Sequence, residues 1–78
     1  MIVERLKQKL QKHGIISSLS FNENVIHVNM VPNDIQNIYG ISESINIHNV
    51  NYSIRLKNFS KHIRSNTSVF AVFELEKI

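Results

Sequence analysis

Residues 69–76, VFAVFELE, carry an apolar side chain at almost every position, and no other run limits the available folds so tightly. Val69, Ala71, Phe73 and Leu75 share one parity, while Phe70 and Val72 enrich the other. A strand sends successive side chains to opposite faces, so apolar groups on both parities predict a strand near the middle of a sheet. Two earlier runs supply neighbours for it. Residues 15–21 set Leu19 and Phe21 among serines, and residues 25–30, VIHVNM, put Ile26, Val28 and Met30 on one side. The polar Asn22-Glu23-Asn24 between them predicts a hairpin with a three-residue turn. Pro32 closes it, since proline removes a ladder hydrogen bond.

A third stretch repeats the alternation with a break in phase. Ile45 and Ile47 lie on one parity, and Val50, Tyr52, Ile54 and Leu56 on the other. The slip at His48-Asn49 requires a turn or a bulge. We expect a long strand over about 50–57, with 44–48 as a separate short strand or as its bulged start. Residues 58–68 hold only Phe59 and Ile63 as large apolar groups and are expected to form a loop with at most one helical turn.

One helix is expected, over residues 2–13. Ile2, Leu6, Lys9, Leu10 and His13 recur at spacings of three and four, and Val3 widens the stripe. Gly14 follows a basic last turn, as a left-handed C-cap would. A second, short helix capped by Asn33 or Asp34 can run through Ile35, Ile38 and Tyr39 to Gly40, with an irregular crossover as the alternative. The resulting class is α+β: an N-terminal helix packed on a small antiparallel sheet of four or five strands, in one domain over residues 1–78.

A chain of 78 residues buries only about 60% of the surface its unfolded form exposes, so burial by a partner or a second copy would add useful stability. The absence of Cys excludes disulfides, thiolate zinc sites and a cysteine nucleophile. No stretch has the length of a membrane span or the apolar run of a secretory signal, so the expected location is cytoplasmic. Ten Asn, twelve Ile and six Lys against one Ala, one Pro and two Gly follow AT-rich coding. That bias points to a low-GC bacterium, or to a phage or plasmid living in one.

Charge is distributed unevenly. Residues 1–14 hold Arg5, Lys7, Lys9 and Lys12 against Glu4, whereas residues 15–54 contain no Lys or Arg and three acids. Residues 55–68 then bring Arg55, Lys57, Lys61 and Arg64 with no acid, and His62 sits among them. Such a cluster attracts phosphate or an acidic protein surface. The candidate binding residues are therefore Arg55, Lys57, Lys61, His62 and Arg64, with Arg5, Lys9 and Lys12 as a secondary basic face. Phe70 or Tyr52, if exposed, adds a stacking platform, although Tyr52 shares parity with Ile54 and is expected in the core. The bland alternative is that these charges only keep a small protein soluble.

Catalytic signatures are sparse. His13, His27, His48 and His62 show no metal-binding spacing, the acids form no pair, and two glycines build no phosphate cradle. No cofactor or metal is expected. The leading reading is a non-enzymatic binding protein whose basic surface engages nucleic acid or a nucleic-acid-processing complex, acting in that case as an inhibitor. A second reading is a protein-interaction module or homodimeric adaptor using a sheet edge or an apolar face, because few lysines guard residues 15–54 against edge pairing. A third is a metal-independent ribonuclease toxin with His27 as general base.

Overall fold

The computed structural model describes residues 2–62 and 67–78. Helix α1 spans Ile2–Leu10 and tightens into a 3₁₀ turn over Gln11–His13. Five strands follow: β1 (Gly14–Asn22), β2 (Val25–Pro32), β3 (Ser42–Ile47), β4 (Val50–Lys61) and β5 (Val69–Lys77). A 3₁₀ helix, Ile35–Gly40, links β2 to β3. Its start is capped by Asp34, whose carboxylate accepts from the Gln36 backbone N–H at 3.1 Å.

The sheet is antiparallel throughout, in the order β1-β2-β5-β4-β3. The chain's most apolar strand thus occupies the centre, as its two-faced composition requires. Both hairpins turn on two residues at positive φ, Glu23-Asn24 (51° and 67°) and His48-Asn49 (51° and 66°). Paired left-handed residues match the right-handed twist of the flanking strands, and Asn tolerates that region better than most residues. The first turn is therefore one residue shorter than the sequence suggests, because Asn22 still pairs with Val25. The phase break at His48-Asn49 is the second turn.

One face of the sheet forms the core. Ile16, Ile26, Val28, Met30, Ile45, Ile54, Val69, Ala71, Phe73 and Leu75 meet Leu6 and Leu10 of α1 there, with Ile38 of the 3₁₀ helix. The helix touches β1 and β3, the two edge strands, so the sheet curls around it. None of the described helices is long and apolar enough to cross a membrane.

Two local expectations are corrected. Residues 58–61 continue β4 instead of entering a loop. A bulge between Leu56 and Asn58 shifts the register so that Phe59 falls opposite Ala71 and joins the core side. That one-residue slip hides the strand from a period-two reading. Gly14 is no left-handed cap: its backbone is extended at φ 164°. Glycine is needed there for close approach, since a Cβ would lie 2.3 Å from the Val31 carbonyl oxygen and 2.8 Å from the Pro32 Cα.

Candidate functional site

With α1 and the 3₁₀ helix on the inner face, no described helix packs on the outer face of the sheet. Register gives its composition. One row runs Ser20, His27, Val72, Asn58, the next Ser18, Asn29, Phe70, Ser60, and a third Asn22, Val25, Glu74, Arg55. The rings of His27 and Phe70 stand 5.7 Å apart between the middle strands. Asn29 ties the neighbouring positions together. Its Nδ2 donates to the Ser18 hydroxyl at 2.8 Å, and its Oδ1 lies 3.0 Å from His62 Nε2. Ile15 and Val31 pair at the far end of β1 and β2 on this face, 74% and 36% exposed. Strands β1 and β2 contain no Asp, Glu, Lys or Arg, so this half of the face carries no carboxylate, ammonium or guanidinium group.

The other half carries Arg55 and Lys57, each beside an acid. Lys57 Nζ meets Glu74 at 2.8 Å, and Arg55 Nε meets Glu76 at 3.9 Å. The hydrogen bond to Glu74, reinforced by its negative charge, raises the Lys57 pKa above the usual lysine value. Lys61 stands opposite buried Val69, which turns it towards the inner side of the sheet, away from Arg55. His62 stays near the outer face through Asn29, and its backbone N–H donates to the Ser68 carbonyl at 3.2 Å. Arg64 lies outside the described residues.

The secondary basic residues belong to α1 and the turn after it, on the inner side. Arg5 donates to the Asn46 carbonyl at 2.6 Å, and Lys12 lies 3.9 Å from Glu43. Lys9 is half-buried and makes no ion pair among the described residues. The structure thus brings Arg55, Lys57 and His62 to one face and sets Lys61 and the helix charges on the other. Among the described residues, Arg55, Lys57 and His62 lie on a different face of the sheet from Arg5, Lys9 and Lys12.

A pairing that sequence spacing concealed lies at the C-terminal end of α1. His13 Nε2 approaches Glu43 Oε2 at 2.9 Å, across thirty residues of sequence. The available clue was Glu43 itself, an acid on the same parity as Ile45 and Ile47, where an inward carboxylate needs a partner. An open cleft of about 310 Å³ adjoins the pair, lined by His13, Asn33, Asp34, Asn37, Gly40 and Ile41. The carboxylate that lines it, Asp34, accepts from the Gln36 N–H and from Asn37 Nδ2 at 2.7 Å. Among the described residues no group of three or more His, Asp or Glu is placed to hold a metal. His27 meets an aromatic ring and, among the described residues, no carboxylate.

No family model, curated protein or solved structure matches this chain.

Proposed function

We propose that the chain is a non-enzymatic protein-interaction module that recruits its partner on the outer face of the sheet. One observation carries this reading: Arg55 and Lys57, the centre of the basic segment, are matched on that face by Glu76 and Glu74. A polyanion gains little from cations already balanced by acids within about one Debye length. A protein surface with an apolar centre and a rim of neutral polar groups and paired charges meets no such obstacle. Val25, Val72, Phe70, Ile15 and Val31 supply the apolar contact, while Asn and Ser side chains supply the rim.

Partner capture by the full chain, with nuclease treatment, tests the reading at low and high salt. Capture should persist in high salt and after nuclease, disappear with Val31→Lys, and survive the double change Arg55→Gln with Lys57→Gln. Capture that follows salt, nuclease and the double change would overturn it.

Nucleic-acid engagement is the second reading. It draws on the His27–Phe70 ring pair of the outer face, which offers stacking to bases. As an inhibitor, the chain would then cover a site that receives phosphate backbone. Direct titration with labelled single-stranded and duplex probes checks it, with affinity falling steeply as salt rises.

A further inference from the structure

We infer that the free edge of β1 is a self-recognition surface, through which two copies pair antiparallel about a two-fold axis at Ser20. This edge is distinct from the outer face, so pairing through it goes beyond the proposed function and can fail separately from it.

The two-residue turn sets which backbone groups of β1 are unpaired. In such a hairpin the residues flanking the turn, Asn22 and Val25, form a hydrogen-bonded pair. Alternation then directs Ser20 and Ser18 towards β2 and leaves the N–H and C=O groups of Leu19 and Phe21 pointing out of the sheet. A two-fold axis at Ser20 places Leu19 opposite Phe21 of the second copy. Each member of that pair presents one donor and one acceptor to the other, so both pairs can exchange both bonds. Their side chains are only half-buried in one copy and come together on the inner side. Ser18 meets Asn22 on the outer side, and the two Ser20 hydroxyls face each other at the axis. The register is therefore self-complementary in hydrogen bonding and in side-chain type.

Electrostatics selects the same occupant. The chain carries a formal net charge of +3, so two copies repel one another at most surfaces. From Gly14 to Asn22, β1 holds no charged side chain at all. Natural edges are blunted by lysines, prolines or bulges, and β1 has only the irregularity between Ile16 and Ser18, outside the paired segment. The other edge cannot pair in this way: Arg5 already occupies the outward carbonyl of Asn46, and Glu43 adds charge.

Analytical ultracentrifugation of the full chain, from micromolar to about 1 mM, tests the proposal, because association weaker than that has little consequence. A reversible dimer is expected. Within it, the amides of Leu19 and Phe21 should exchange more slowly as concentration rises, while those of Ser18, Ser20 and Asn22 stay unchanged. Ser20→Lys sets two ammonium groups against each other at the axis and should weaken the dimer at least tenfold. Mixing it with Ser20→Asp should restore association as a heterodimer, a result that misfolding cannot imitate. Val31→Lys, on the outer face, should leave the dimer intact. A chain that stays monomeric throughout, or a dimer indifferent to Ser20→Lys, overturns the inference.

Discussion

Strands β1 and β3 both end the sheet, but α1 and the turn that follows it protect only one of them. Arg5 bonds the Asn46 carbonyl of β3, and Lys12 and His13 hold its Glu43. On β1 the nine residues from Gly14 to Asn22 carry no charge, and among the described residues the outward groups of Leu19 and Phe21 meet no such partner. Edge protection here is therefore a tertiary matter. Helix α1 leads directly into β1 and crosses to β3, so its cations arrive at the far edge instead of the near one. A chain with one such helix can guard one edge with it and must leave the other to its own sequence.

Changes along α1 and β3 test that contrast. The largest effect is expected from Leu10→Ala. The side chain is fully buried between helix and sheet, and its truncation should cost about 3 kcal/mol in urea unfolding. Amides of β3 should then exchange faster than those of β1; an equal response at both edges would falsify the claim that α1 protects only one. Gly14→Ala acts on the β1 side. Its Cβ would press on the Val31 carbonyl and the Pro32 Cα, which predicts a loss of about 2 kcal/mol with the disturbance confined to the start of β1 and the end of β2.

Smaller effects sharpen the picture. Glu43→Gln removes the charge that His13 and Lys12 share and should cost about 1 kcal/mol, while loosening β3 selectively. Arg5→Ala exposes the Asn46 carbonyl and should change stability by only a few tenths of a kcal/mol, because the side chain is exposed. Its readout is association: with both edges open, the chain should aggregate more readily. The smallest effect belongs to the exposed Lys57–Glu74 pair. The lysine pKa is raised in the folded chain, so its contribution is complete below the ordinary value of 10.5 and fades as pH climbs through the higher folded value. A melting difference between wild type and Lys57→Met should therefore be present at neutral pH and vanish in strong alkali.

Much of the fold could be read along the chain. The stripe through Leu6 and Leu10, the alternation in VIHVNM and the two-faced VFAVFELE each name residues that the structure buries. The short helix after Asp34 was legible from its cap and its apolar spacing. The end of β4 was not, because a bulge reverses parity between Leu56 and Asn58 and makes a strand resemble a loop. The candidate site was legible only in part. Counting charge by segment put Arg55 and Lys57 on one strand and Glu74 and Glu76 on another, with Lys61 left in a loop, but such a count cannot show that Glu74 lands beside Lys57.

The amino-acid sequence by itself determined the main body of each strand, the helix that covers them and the neighbourhood of each hairpin turn. Those choices rest on the period of apolar side chains and on residues tolerant of tight turns, both local properties. The order β1-β2-β5-β4-β3, the matched charges of the outer face, the His13–Glu43 contact and the unguarded β1 edge were decided only in the folded chain. Each depends on which distant segment becomes a neighbour, and Coulomb attraction and hydrogen bonding act over ångströms of space whatever the separation in sequence.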